Sequence, residues 1–373
     1  MRIESIELRH VRLRLQAPFT TSFGTTLERS AIIVAVHGEG KTGLAECVAF
    51  EGPWYSYETA GTAWHIMADY LIPRLLETAI EEPEDVWTIL APIRGHNMAK
   101  AALEMACWDL IARARNLSLA TLLGGTRDRV PVGVSIGIQS SPEALVETVG
   151  RYLADGYRRV KLKIAPGADV EFVEAARAAY PDAVIQVDAN SAYTLADVAT
   201  FKRMEPLNLL LIEQPLGPDD IVDHAALQRE LTTPICLDES IHSPDDARHA
   251  LDLGSCRIIN IKPGRVGGHR QSRAIHDLCL AREAPVWCGG MLETNIGRAH
   301  NVAVASLPGF TLPGDISASA RYYAQDIAGP AFTLNDDSTL TVPSGPGIGV
   351  ELEPGLHWER QETFRAGQLV TAP

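Results

Sequence analysis

Five residues able to move protons or hold cations recur along the 373-residue chain at nearly one interval. Lys163, Asp188, Glu213, Asp238 and Lys262 are separated by 25, 25, 25 and 24 positions. Each ends a short apolar run, in KLK, VDAN, IEQP, LDES and NIK. A single Asp after such a run is as often the cap of the next helix as a ligand. Capping does not explain three carboxylates in register and bracketed by lysines. Carboxylate oxygens without Cys or His nearby suit a hard cation, so Asp188, Glu213 and Asp238 are predicted to hold Mg²⁺, with Mn²⁺ or another divalent ion able to substitute. Asn190 and Glu239 flank these ligands and are expected to support them without binding the metal. Period-two alternation puts Lys161 and Lys163 on one face of their strand. Two ammonium groups there disfavour each other's protonation, so Lys161 is expected to lower the pKa of Lys163 and make it a base near neutral pH.

The interval matches one strand plus one helix. Between residues 131 and 314, β-branched runs such as RRVKLKI and AVIQVDAN alternate with amphipathic stretches such as PEALVETVGRYLADG, giving eight strand candidates. Strand–helix alternation implies a parallel sheet in an α/β fold. In an open sheet, five adjacent strands at ~4.8 Å would hold the two outer lysines about 19 Å apart, too far to share a small substrate. Closure into a barrel places strands two and six opposite each other, and Lys163 and Lys262 then face one another over a floor of three carboxylates. KLK alone would read as a solvated edge strand, but a closed barrel has no such edge.

Before residue 125 the pattern differs. Residues 3–15 alternate, residues 31–37 and 42–49 flank the turn GEGK, and MAKAALEMACWDLIARAR at 98–115 reads as a helix capped by Asn97. The tail beyond about 326 is rich in Pro and Gly, with an alternating piece, TLTVP, expected to return to the N-terminal sheet. Expected domain bounds are 1–125 for an α+β cap, 126–325 for the barrel and 326–373 for the returning tail.

Composition narrows the partners. A net charge of −14 repels phosphate backbones and anionic membranes, so no nucleic-acid or membrane partner is expected. No run approaches the ~18 apolar residues of a membrane span. The opening MRIESIELRHVRLRL has no signal-peptide core, and six scattered cysteines read as buried thiols, so a cytoplasmic location is expected. Gly133-Val-Ser135-Ile-Gly137 fits GxSxG, but it lies inside the first barrel strand and not on a strand-to-helix elbow. Ser135 is left as a substrate contact. The GKT at 40–42 lies in a hairpin, and the eleven histidines show no metal-ligand spacing.

With these residues in place, the chain resembles the enolase superfamily in its muconate-lactonizing branch, over essentially its whole length. NIKPGRVGG at 260–268, PVWCGGMLET at 285–294, GRAHN at 297–301 and LPGDISAS at 312–319 are similar to the N-acylamino acid racemase and o-succinylbenzoate synthase group. The resemblance implies a (β/α)₇β modified TIM barrel, an α+β capping domain built from the N-terminal region and the tail, a Lys base with Mg²⁺, and a homo-oligomer, dimer or octamer. PFTTSFG at 18–24 and the segment 50–55 look like the family's two mobile lid loops. Phe19, Phe23 and Trp54 would cover an acyl or succinyl group, with ordinary packing the competing reading for each. Ser135, Gly290, Met291, Asp315 and Ser317 complete the expected substrate contacts. Arg265 either tunes Lys262 or binds a backbone carbonyl.

The resemblance also orders the activities. Dipeptide epimerases of the superfamily carry Asp-x-Asp at the end of strand eight, whereas this chain reads Asp315-Ile-Ser317, which disfavours a free amino terminus. Racemisation of an N-acyl or N-succinyl amino acid leads, the Lys163 base serving the S substrate and the Lys262 base the R substrate. The alternatives are o-succinylbenzoate synthesis, then muconate-type cycloisomerisation, and, from a different class, a silent binding protein on the same fold.

Overall fold

A computed structural model describes residues 1–367. Three antiparallel strands, β1 (Ser5–Thr21), β2 (Gly24–Gly38) and β3 (Lys41–Cys47), form the N-terminal sheet. The β1–β2 register breaks between Arg14 and Phe19 and resumes as Phe19↔Thr26 and Thr20↔Thr25. The extra residues of this bulge bend the hairpin tip toward the barrel. It docks through one backbone pair and one side chain: Ile138 N donates to the Thr20 carbonyl at 2.9 Å, and the Ser22 hydroxyl donates to the Asn190 carbonyl at 3.0 Å. A Cβ at Gly137 would lie 2.8 Å from Thr20 N, so only glycine allows this approach.

Three short helices, α1 (Ala60–Ile66), α2 (Ile72–Glu77) and α3 (Asp85–Leu90), lead to α4 (Asn97–Ala114). Every residue of α4 from Met98 to Ala112 is buried, because the helix lies between the sheet and the barrel. The expected cap is not made by Asn97. The Glu58 carboxylate accepts Met98 N at 2.9 Å and Ala99 N at 3.1 Å, while Asn97 Nδ2 donates to the His242 carbonyl at 3.0 Å and ties the helix to a barrel loop.

After α5 (Leu119–Leu123) and the short β4 (Arg129–Pro131), seven parallel strands form one sheet in sequential order. They are β5 (Val134–Ile136), β6 (Arg159–Lys163), β7 (Val184–Asp188), β8 (Ile212–Glu213), β9 (Ile235–Leu237), β10 (Ile258–Ile261) and β11 (Val286–Cys288). The eighth strand expected in GFTLPGD is instead an irregular staple. Phe310 bridges Val286, Gly314 bridges Val132, and Pro313 has no N–H to extend a ladder. Asp315 N still donates to the Cys288 carbonyl at 2.9 Å, and Gly133 N to the Gly314 carbonyl at 2.8 Å, so the staple closes the barrel.

The tail contributes β12 (Ala328–Gly329), β13 (Thr339–Thr341), β14 (Glu351–Leu352) and β15 (Arg360–Arg365). TLTVP does not reach the N-terminal sheet: β13 pairs with β4 at the start of the barrel, and it is β15 that returns to pair with β1. Six cysteines are free and buried. Among the described residues, no helix is long and apolar enough to cross a membrane.

Candidate active site

Lys163, Asp188 and Glu213 are the last residues of β6, β7 and β8, while Asp238 and Lys262 immediately follow β9 and β10. All five therefore gather at the C-terminal mouth of the barrel. Lys163 Nζ lies 2.6 Å from both Asp188 Oδ2 and Asn190 Oδ1. Lys262 Nζ lies 2.8 Å from Asp238 Oδ2 and 3.2 Å from the Tyr55 hydroxyl. Deeper in, Lys161 Nζ is met by Asp188 Oδ2 at 2.9 Å, Glu213 Oε2 at 2.8 Å and Asp315 Oδ2 at 2.5 Å. Four steps around a ring of seven strands and one staple put β6 and β10 across from each other. Lys163 and Lys262 line one cavity between them.

Burial and charge set the protonation states. Burial would lower the Lys161 pKa, but Asp188, Asp315 and Glu213 together raise it well above the usual amine value. Lys161 therefore stands as a fixed positive charge two residues from Lys163. Burial opposes the Lys262 charge in the same way and is outweighed, chiefly by Asp238. Burial would raise Asp238, yet Lys262 and Arg265 hold it at about 2. Glu213 is pushed well up by burial and by Asp188, and Glu239 to about 8 by burial, Asp238 and Asp188. Crowding of the carboxylates contributes to raising Glu213 and Glu239, and two polar atoms, Glu239 Oε2 and Asn260 Oδ1, are buried with no partner.

Such an all-oxygen donor set fits a hard divalent cation held by Asp188, Glu213 and Asp238. Among the described residues, no trio of His, Cys, Asp or Glu is already set at ligand spacing. The carboxylates are turned to ammonium groups instead, Asp188 to Lys161 and Lys163 and Asp238 to Lys262.

The remaining expected residues divide by position. Phe19, Phe23, Ser135, Gly290, Met291 and Asp315 line the cavity. Trp54 does not: it is 71% exposed, and its neighbour Tyr55 points inward, its hydroxyl donating to Asp238 Oδ1 at 3.0 Å. Ser317 is buried outside the cavity lining, where its carbonyl accepts from Arg298. Asn190 Nδ2 donates to Glu239 Oε1 at 2.9 Å, linking the two supporting residues. Arg265 makes the expected backbone contact, to the Ile241 carbonyl at 2.7 Å, and also pairs with Asp238. Sequence reasoning missed Tyr55, Tyr322 and Asn260; the last alternates with Lys262 and donates to Glu213 at 2.7 Å. The hairpin tip is folded onto a cavity of about 50 Å³, room for a few water molecules.

Comparison with known proteins agrees with this geometry. Residues 3–124 match the mandelate racemase / muconate lactonizing enzyme N-terminal domain, and residues 144–356 match the enolase C-terminal domain-like family. An o-succinylbenzoate synthase from Geobacillus stearothermophilus is 52% identical over 94% of this chain and 94% of its own. An N-succinylamino acid racemase from an Amycolatopsis species is 51% identical over 95% and 96%. A crystal structure of an enolase-superfamily member from Listeria innocua superimposes with a TM-score of 0.94 at 44% identity, covering 98% of this chain and all of that one. This chain therefore belongs to the enolase superfamily, in its mandelate racemase / muconate lactonizing enzyme family.

Proposed function

We propose that this chain is a divalent-metal-dependent enzyme that removes the proton α to a carboxylate and racemises N-acyl amino acids, N-succinyl amino acids above all. The observation that carries this reading is the pair of lysines, Lys163 and Lys262, entering one cavity from opposite strands with carboxylates between them. One lysine takes the α-proton from one face of the carbon, and the other returns a proton to the opposite face. Lys161 and Arg265 stay charged and hold Asp188 and Asp238 in place. Magnesium is the assigned ion, with manganese able to replace it, and when bound it would stabilise negative charge developing on the substrate carboxylate. Phe19, Phe23 and Met291 shield the substrate from water. Free buried thiols support a cytoplasmic setting, and a homo-oligomer is the assigned assembly.

A second reading, o-succinylbenzoate synthesis, is favoured by the relatives of that name, one at 52% identity. It uses the same machinery on a succinylated cyclohexadiene carboxylate. Lys163 removes the ring proton and then gives it to the departing hydroxyl, which leaves as water, while Lys262 stays charged beside the developing anion.

Racemisation is tested by chiral chromatography of N-succinylphenylalanine incubated with enzyme and Mg²⁺. Either enantiomer is expected to drift to an equal mixture, and the α-methyl ester is expected to be inert because it lacks the carboxylate that faces the cation. Equal turnover of ester and free acid would remove the carboxylate from the mechanism.

A further inference from the structure

Strand β6 carries a third inward cation that neither proton transfer nor metal binding uses. Alternation along RVKLK turns Arg159 to the same side as Lys161 and Lys163, and Arg159 is only 1% exposed. Its Nη1 donates to Asp315 Oδ1 at 2.6 Å, its Nη2 to the Pro313 carbonyl at 2.7 Å, and its Nε is buried without an acceptor. Space for the guanidinium comes from Gly133, where a Cβ would collide with it. The first glycine of GVSIG is thereby explained as a berth for Arg159, as Gly137 is by the hairpin tip.

Asp315 is the point of interest. Among the described residues lining the cavity it is the one carboxylate, set against Lys161, Lys163 and Lys262. Left uncompensated, it would draw a substrate ammonium group. Instead Arg159 occupies one oxygen, and Lys161 approaches the other at 2.5 Å.

We propose that Arg159 is a specificity-determining positioning residue. By pairing with Asp315 it keeps that carboxylate from receiving a substrate cation, so that the site accepts an acyl end that is neutral or anionic and rejects one with a free ammonium group. The proposal rests on the α-proton-abstraction reading but concerns which substrate is held, not how the proton moves.

The test presents one α-carbon with two opposite charges at its acyl end, as N-succinylphenylalanine and glycylphenylalanine. Dissociation constants are read by calorimetry and α-proton exchange rates in deuterated water, both with Mg²⁺. Arg159→Met removes the charge while keeping a long unbranched side chain, and is expected to shift the selectivity ratio toward glycylphenylalanine by about tenfold or more. Arg159→Lys, which restores a cation, is expected to keep the ratio near the parent value. Asp315→Asn leaves Arg159 uncompensated and is expected to move the ratio the opposite way. If Arg159→Met does not fold, the direction of the Asp315→Asn shift decides alone. A parallel loss with both substrates at an unchanged ratio would overturn the proposal and leave Arg159 as packing. Absence of exchange in the parent enzyme would defeat the catalytic reading instead, while the ratio of dissociation constants still judges the role of Arg159.

Discussion

Replacing either cavity lysine by alanine is expected to abolish racemisation while sparing half of the chemistry. Lys163 ends β6 and Lys262 follows β10, on opposite sides of the cavity, so on the proposed mechanism each reaches one face of a substrate α-carbon. Racemisation needs both faces, and loss of a general base or acid lowers kcat by about 10²–10⁴. Exchange of the α-proton with solvent needs only one. Lys262→Ala is expected to lose racemisation and still wash deuterium into the S enantiomer through Lys163. Lys163→Ala is expected to do so with the R enantiomer through Lys262. Proton NMR of each enantiomer in deuterated water reads both outcomes. Loss of exchange with both enantiomers on mutation of Lys163 alone would defeat the two-base mechanism, as would racemisation at the parent rate by either variant.

Asp238→Asn is expected to act on both faces at once, which separates the metal role from the base role. Asp238 accepts from Lys262 at 2.8 Å and from Tyr55 at 3.0 Å, and it also pairs with Arg265. Asparagine keeps the size and one oxygen but removes the charge a hard cation requires. Mg²⁺ affinity is expected to fall at least about a hundredfold, and exchange with both enantiomers to fall with it. Calorimetric metal titration measures the first effect and the NMR assay the second, with circular dichroism checking the fold. Parent-like Mg²⁺ affinity together with parent-like turnover would remove Asp238 from the ligand set.

The convergence of five residues at the barrel mouth was legible because the unit between strand ends has nearly constant length, so Lys163, Asp188, Glu213, Asp238 and Lys262 announce themselves by interval. Side chains fixed by loop path or distant partners were not. Trp54 and Tyr55 are adjacent aromatics, and only the route of the 50–55 segment decides which points inward. The α4 cap comes from Glu58, far back in the chain, so no local rule finds it. GFTLPGD has the spacing of an eighth strand, yet Pro313 turns it into a bridged staple. Arg159 was readable by extending KLK two residues back to RVKLK. A buried arginine inside a barrel is costly unless paired, and its partner Asp315 lies 156 residues away.

The most direct measurement follows the α-proton of each N-succinylphenylalanine enantiomer by NMR in deuterated water, with parent enzyme, with Mg²⁺ and then with excess chelator. With Mg²⁺, the α-proton signals of both enantiomers are expected to vanish and deuterated material of the opposite hand to form. With chelator, both signals are expected to persist. Retention of both α-protons in the presence of Mg²⁺, or exchange that continues undiminished under chelation, would contradict metal-assisted two-base proton transfer at this site.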